Sequence, residues 1–152
     1  MGRSLYDAAG GMPAMVALAH AWHERCLADP VVSHAFSHGY HPDHTARLAS
    51  YWAEALGGPV DYTASVMDQS EVVRMHSGNG PHDDMDRRAL DCFVAALDDA
   101  GLPDDPALRS ALTAYFTWGI AELNHRYATV AEVPDDLPLP AWSWEGEEPR
   151  KS

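Results

Sequence analysis

Apolar residues recur along most of this 152-residue chain at intervals of three and four positions, the spacing that places them on one face of an α-helix. Glycine and proline separate the helical stretches. We find no convincing strand pattern, and residues 59–66 look irregular. The predicted fold class is therefore all-α, in a single helical domain. The predicted helices run from Ser4 to Gly10-Gly11 and over about residues 13–29, 42–56, 72–76, 82–100 and 106–127, with a short segment at 31–36.

Several residues mark where these helices begin and end. Ser4 is a suitable N-cap, because its hydroxyl can accept a bond from an unpaired N–H of the first turn. Pro13 suits the first turn of the second helix, where the missing N–H of proline costs nothing, and Pro30 breaks that helix. The run at 77–81, which reads Ser-Gly-Asn-Gly-Pro, is a strong terminator for the short helix before it.

The domain and its tail differ in composition. Residues 1–129 carry the helical pattern, and the last helix is apolar over a wide arc, which predicts a central position in the fold. Residues 130–152 form a tail rich in proline and acidic residues. The tail also contains Trp142 and Trp144, so we expect part of it to pack back on the domain.

The net charge of the chain limits the kinds of partner that it is expected to bind. The formal net charge is −13, from 23 acidic and 10 basic residues. Such a surface repels phosphate backbones and anionic lipid, so nucleic acid and membrane partners are not expected. The chain has no apolar run of the roughly 18 residues that cross a membrane and no signal-peptide pattern at its start. A cytoplasmic protein, monomeric or homodimeric, is the expectation.

Among nine histidines, His76 has the most distinctive position. It follows Val72 and Val73 by four and three residues, on the apolar face of a short helix that ends just after it. A buried neutral imidazole without a neighbouring carboxylate is a suitable axial ligand for iron. By periodicity alone a structural role is the more common one for such a histidine, and a metal-ligand role for His76 is the alternative.

His44, His41 and His23 point toward one apolar region. His44 precedes Leu48 by one helical turn, and His41 lies one turn earlier on the same side. His23 shares a helix face with apolar residues of the second helix. Three imidazoles converging on an apolar region suggest a metal site or a pocket that handles protons.

Three motifs together resemble the truncated haemoglobins, and group II of that family in particular. They are Ser-Leu-Tyr-Asp-Ala-Ala-Gly-Gly at 4–11, the second Gly-Gly pair at 57–58 followed by Pro59, and Arg-Met-His at 74–76 before a long loop. The spacing from His76 to Cys92 and the order of the helices agree, and the match extends from about Ser4 to Asn124. The resemblance implies a two-over-two helical sandwich around haem b.

The resemblance also assigns roles to residues of this chain. His76 is similar to the proximal iron ligand, Phe36 to the aromatic residue that packs on the haem, and Leu48 to an apolar residue of the distal wall. Arg47, with Arg74 as a second candidate, would pair with the haem propionates. Positive charge at that place would help an acidic protein to hold a dianionic cofactor.

The chain departs from the family pattern at the distal side. The family usually has tyrosine where this chain has His23, and a small or polar residue where it has His44. Group II typically has tryptophan at the position of Ala89. The resemblance therefore implies that His23 and His44 replace the usual hydrogen-bonding network. The space beside Ala89 is either open to a ligand or filled by Trp22, Met85 or the tail.

Two haem-dependent functions are consistent with these residues. The first is binding of a diatomic ligand, O2, NO or CO, with an unidentified reductase as electron donor. The second is a haem enzyme of peroxidase or NO-dioxygenase type, which activates peroxide or O2 to oxidise a small organic substrate. A distal histidine can shuttle a proton in such chemistry.

A third alternative needs no haem. The spacing His38, His41, His44 places the last two within helical reach of each other, as in many zinc sites. His38 lies beside a glycine on a predicted loop. On this hypothesis the chain is a histidine-rich helical protein that binds zinc or iron.

Overall fold

The computed structural model describes residues 3–37, 39–40, 42–78 and 82–148. Most of these residues are helical, and the predicted all-α class is confirmed. Within the described ranges the α-helices are Leu5–Ala9 (α1), Met12–Ala28 (α2), His44–Ala55 (α3), Asp61–Ser65 (α4), Gln69–His76 (α5), Asp83–Asp99 (α6) and Pro106–Asn124 (α7). Single 3₁₀ turns occur at Val32–Phe36 and Val130–Glu132, and strands Ala141–Ser143 (β1) and Gly146–Glu148 (β2) form an antiparallel hairpin.

Local signals account for most helix boundaries. The Ser4 hydroxyl accepts a bond from Asp7 N at 3.0 Å, as predicted for an N-cap. The Asp105 carboxylate caps α7 in the same way, directly before Pro106. The prediction of irregular structure at 59–66 was wrong, since α4 occupies part of it. The hairpin was also not predicted, because strands of three residues carry too little alternation to be recognised.

The helices pack as two layers of two. Helices α2 and α3 form one pair and α6 and α7 the other, and the pairs meet where α2 crosses α6. This is the predicted two-over-two arrangement. Aromatic rings fill the space between the layers: Phe93 and Phe116 stack with centroids 4.3 Å apart, and the Trp52 ring meets the Phe93 ring edge-on at 5.6 Å. The core thus lies between the pairs, beneath the ends of α2 and α3.

The second glycine pair joins the end of α3 to the start of the chain. Tyr6 N donates to Leu56 O at 3.0 Å, so the backbones of α1 and of the turn after α3 are in direct contact. A Cβ on Gly58 would lie 2.7 Å from Tyr6 Cδ2 and 2.9 Å from Ala53 O. Neither neighbour can retreat, because one is backbone and the other is a ring packed against the core. Only glycine fits at this position.

We expect Gly58→Ala to lower the free energy of unfolding by about 1–3 kcal/mol through overpacking. Gly119→Ala is the matched control: Gly119 lies inside α7, and a Cβ there meets nothing within 4 Å. That substitution should raise stability by about 0.5–1 kcal/mol, the helix-propensity difference. Urea denaturation of both variants tests the pair, and equal effects at the two sites would contradict the close-contact explanation.

The tail packs along the helical layers as far as the structure describes it. Leu139 is buried in the main core, and the Trp142 ring lies against Tyr115 and Trp118 of α7, with centroids 6.0 and 5.2 Å away. Trp144 Nε1 donates to Arg3 O at 2.8 Å, which links the tail to the N-terminus. No helix in the described part of the chain is long and apolar enough to cross a membrane.

Candidate functional site

Two histidines meet where α2 faces the start of α3. His23 lies on the inward face of α2, and His44 is the first residue of α3. Their ring centroids are 4.8 Å apart. This contact confirms that the two imidazoles share one region, although 20 residues separate them in the chain.

Two aromatic rings enclose the histidine pair. Phe36, at the end of the 3₁₀ turn, lies 4.9 Å from the His23 ring and 5.3 Å from the His44 ring, centroid to centroid. The Tyr40 ring lies 4.6 Å from that of His23 and 5.9 Å from that of His44. Tyr40 is 51% exposed, so it forms the rim of the cluster while Phe36 forms an inner wall. Sequence reasoning did not single out Tyr40, although it lies only four residues before His44.

Three ring nitrogens of this cluster are buried without a hydrogen-bond partner among the described residues. They are both nitrogens of His23, which is 4% exposed, and Nδ1 of His44. Leaving a buried polar atom unpaired costs about 1–3 kcal/mol, and folded proteins rarely retain such atoms without a functional reason. The cluster therefore has the polar character of a ligand pocket within apolar walls.

The imidazoles of the pair are neutral near pH 7. Burial is the main cause that lowers the pKa of His23. Burial also lowers the pKa of His44, and the nearby rings of His23 and His76 lower it further. A neutral imidazole has one N–H donor and one acceptor nitrogen. The pair can therefore both donate and accept a hydrogen bond.

His76 faces the same region from α5. Its Nδ1 lies 2.7 Å from Val72 O, and because a carbonyl only accepts, Nδ1 carries the ring proton. The lone pair then resides on Nε2, the tautomer that metal-ligating histidines adopt when a backbone carbonyl holds the other nitrogen. Burial lowers the pKa of His76, which favours the neutral form that binds a metal.

The position of Ala89 is covered by an aromatic residue from another helix. Trp22 Nε1 donates to Ala89 O at 3.1 Å, and the Trp22 ring lies 6.5 Å from Phe36 and 5.7 Å from Phe116, centroid to centroid. Trp22 of α2 thus lies beside Ala89, and Met85 packs with both of them against the same small buried cluster. Leu48 lies partly buried against the main core, on α3.

The two candidate arginines have different surroundings. Arg74 forms ion pairs with Glu71 and Asp135. Burial raises the pKa of Tyr62, and the nearby Arg47 partly offsets that rise; Arg47 forms no ion pair within the described part of the chain. Among the arginines described, Arg3 is the other one without a carboxylate partner, while the remaining ones pair with acidic residues.

The other histidines lie apart from this cluster or outside the described ranges. His20 and His34 are exposed, and His125 Nε2 lies 2.6 Å from Asp86 Oδ2 at the far end of α7. His38 and His41, which the zinc hypothesis requires, lie outside the described residues. The structure therefore brings together His23, His44 and Phe36, with His76 near enough to influence the pKa of His44.

Comparisons with known proteins agree with this architecture. Residues 4–117 match the family model described as Bacterial-like globin. The haemoglobin of Chloroflexus aurantiacus is 22% identical, with a TM-score of 0.68 and coverage of 82% of this chain and all of that one. A thermostable haemoglobin from the actinobacterium Thermobifida fusca is 25% identical, with a TM-score of 0.66 and coverage of 82% and 99%.

A group II truncated haemoglobin from Bacillus anthracis is 17% identical, with a TM-score of 0.71 and coverage of 82% of this chain and 93% of that one. No curated protein sequence matches the chain. The structural matches confirm the predicted truncated-globin fold. The family match ends at residue 117, so the tail lies outside it.

Proposed function

We propose that this chain, which belongs to the bacterial-like globin family and therefore has haem as its cofactor, binds O2 or another diatomic gas at a haem b iron held by His76. Globins of this family bind such gases, and the distal residues of this chain are suited to hold one. The observation that carries the proposal is the set of buried, unpartnered imidazole nitrogens of His23 and His44.

The residues of the site fit a haem group. His76 presents the neutral tautomer with its lone pair on Nε2, which is the donor a haem iron requires on its proximal side. Phe36 and Leu48 supply apolar surface for the porphyrin ring. On the distal side, His23 and His44 provide ring nitrogens that have no hydrogen-bond partner among the described residues.

When bound, haem would supply an iron that His76 would hold and that could bind a small gas ligand. His44 donates a ring N–H toward a ligand in the pocket and so slows its escape. His23 holds the His44 ring in place by direct contact and offers a second donor. Phe36 and Tyr40 shield both rings from water, which strengthens hydrogen bonds made there.

Spectroscopy of the purified protein tests the proposal. The reduced, haem-loaded protein should show a Soret band that shifts on addition of O2 and of CO, with saturation at one ligand per haem. Absence of a Soret band after reconstitution with haemin would favour the haem-free metal hypothesis. A Soret band that no gas shifts would reject gas binding while leaving haem binding intact.

We propose Arg47 as the partner of the haem propionates. Its guanidinium has no carboxylate partner among the described residues, whereas that of Arg74 already has two. An unpaired cation on α3 is available to a dianionic cofactor.

Arg47→Gln should accelerate haem transfer to apomyoglobin about three- to tenfold at low salt, and less at 0.5 M salt because exposed ion pairs are screened. Arg3→Gln is the control, since Arg3 also has no ion pair with any residue that the structure describes. Identical transfer rates for the two variants at every salt concentration would count against the assignment.

One observation favours an alternative function, activation of peroxide. Two neutral imidazoles with ring centroids 4.8 Å apart can act together, one accepting a proton while the other donates a hydrogen bond. Turnover of an organic reductant such as a phenol with hydrogen peroxide tests this alternative. Rates that depend on both histidines would support an enzyme, and rates equal to those of free haemin would reject it.

A further inference from the structure

The start of the tail runs across the helix that carries His76. We call residues 130–139 the strap. Val130 Cγ2 lies 3.8 Å from the point that a Cβ on Gly78 would occupy, and Gly78 is two residues beyond His76. Further along, Val133 and Leu139 are buried, at 5% and 6% exposure. The strap is thus an ordered part of the fold, although it lies outside the family match.

Ser70 fixes the strap to α5 by two hydrogen bonds. Its hydroxyl donates to Pro134 O at 2.8 Å and accepts from Leu137 N at 2.9 Å. Ser70 is only 1% exposed. A buried hydroxyl that both donates and accepts holds the backbone of the strap at a fixed distance from α5, because losing either bond would leave a buried polar group unpaired.

Arg74 provides a second attachment one helical turn later. Its guanidinium pairs with Asp135 of the strap and with Glu71 of its own helix, and Nη2 lies 3.5 Å from Val133 O. Ser70 and Arg74 are four residues apart, so they lie on the same face of α5. Two attachments on one face prevent the helix from rotating about its axis.

The attachments lie on the face of α5 opposite His76. With about 100° of rotation per residue, Val72 lies about 160° around the helix axis from both Ser70 and Arg74, and His76 lies about 160° from Arg74 and about 120° from Ser70. The α5 helix has eight residues, too few to be stable without tertiary contacts. On its other side, Tyr51 of α3 donates to Gln69 at 2.9 Å. The strap and α3 therefore hold α5 between them.

We infer that the strap, through Ser70 and Arg74, sets the rotation of α5 and thereby the direction in which His76 presents Nε2 to the iron. Ser70 and Arg74 are positioning residues, since neither approaches the iron ligand itself. The inference rests on the proposed role of His76. It assigns to the tail a function that the family match does not include.

The test combines three variants with one matched control. Ser70→Ala removes both strap hydrogen bonds, Arg74→Gln removes the ion pairs, and Asp135→Asn removes the strap carboxylate that pairs with Arg74. Asp135 is 86% exposed, so that variant will fold. The control is Arg109→Gln: Arg109 has the same 24% side-chain exposure as Arg74, pairs with Asp98 and donates to backbone carbonyls away from α5.

Three measurements are made on each haem-loaded protein: the iron–histidine stretching band of the ferrous form, the rate of haem loss, and the thermal midpoint. A fourth, hydrogen exchange of residues 69–76, is made with and without haem. We expect the strap variants to shift or broaden the iron–histidine band and to raise haem loss about fivefold, the effect of one lost hydrogen bond. Asp135→Glu keeps a carboxylate at this position and should therefore show the wild-type iron–histidine band. Arg109→Gln should lower the midpoint yet leave the band and haem loss unchanged.

A wild-type band and wild-type haem loss in all strap variants would overturn the inference, whatever their thermal midpoints, because the strap would then be only a stabilising contact. Faster exchange of α5 with an unchanged band would also overturn it. Persistence of the band in His76→Ala would refute the ligand assignment instead. In that case the exchange data on the haem-free protein would still show whether the strap holds α5, so the two failures are distinguishable.

Discussion

His76→Ala should abolish stable haem retention, and added imidazole should partly restore it. The proposal assigns the iron to Nε2 of this side chain, because Nδ1 donates to Val72 O. Loss of an outer partner of a metal ligand typically costs roughly 10–100-fold in affinity, so loss of the ligand itself should exceed about 100-fold. Imidazole at millimolar concentration can occupy the vacated space and bind the iron from outside the chain.

The measurement is the rate of haem transfer to apomyoglobin, together with the Soret spectrum before and after imidazole is added. His34→Ala is the control, because His34 is an exposed histidine on the 3₁₀ turn at Val32–Phe36. An unchanged Soret spectrum in His76→Ala without imidazole would show that another residue binds the iron. Loss of haem in both variants would indicate general destabilisation rather than loss of a ligand.

His44→Leu should raise the dissociation rate of O2 about tenfold. One hydrogen bond from a neutral imidazole to a ligand contributes about 1–1.5 kcal/mol, which corresponds to about tenfold in rate. Burial lowers the pKa of His44, and the ring of His76 is near enough to lower it further. His23→Leu should act in the same direction but less, because His23 reaches the pocket from behind His44.

Although His23→Leu should speed the loss of the gas ligand, it should also raise the stability of the folded protein. His23 buries two ring nitrogens without a partner among the described residues, and leucine has no polar atom to desolvate. We expect His23→Leu to raise the free energy of unfolding of the haem-free protein by about 1–3 kcal/mol. A gain in stability together with faster ligand loss is typical of a residue kept for function.

Stopped-flow dissociation of O2 and urea denaturation of the apoprotein measure the two effects, with His34→Leu as the exposed control. Conversion of a low-spin ferric spectrum to a high-spin one in His44→Leu would show that His44 is itself an iron ligand. Unchanged dissociation rates in both variants would show that the two rings point away from the bound gas.

The sequence was most informative about features that depend on near neighbours. The cap at Ser4, the end of α2 near Pro30 and the position of His76 beside Val72 all arise from interactions within about four residues, and the structure confirms each of them. The same holds for the all-α class, since helical periodicity is a local property. The propionate partner and the proximal ligand remain predictions that the experiments above address.

The sequence was least informative where two distant segments meet. Trp22 covers Ala89 from 67 positions away, and Arg74 pairs with Asp135 from 61 positions away. From the sequence, Trp22 was one of three candidates to fill the space at Ala89, and Arg74 was a candidate for the propionates. The sequence could not show which contacts Trp22 and Arg74 make, because those contacts depend on which helix faces pack against each other.

The sequence by itself determined most of the helices, although not α4, and the inward placement of His23 and His44, because hydrogen bonds and side-chain spacing within a helix involve residues close in the chain. Only the tertiary structure decided that His23 and His44 touch, that Tyr40 closes over them and that the strap crosses behind His76. Those contacts depend on how the helices pack around a shared core, and packing is set by the shapes of all the side chains together.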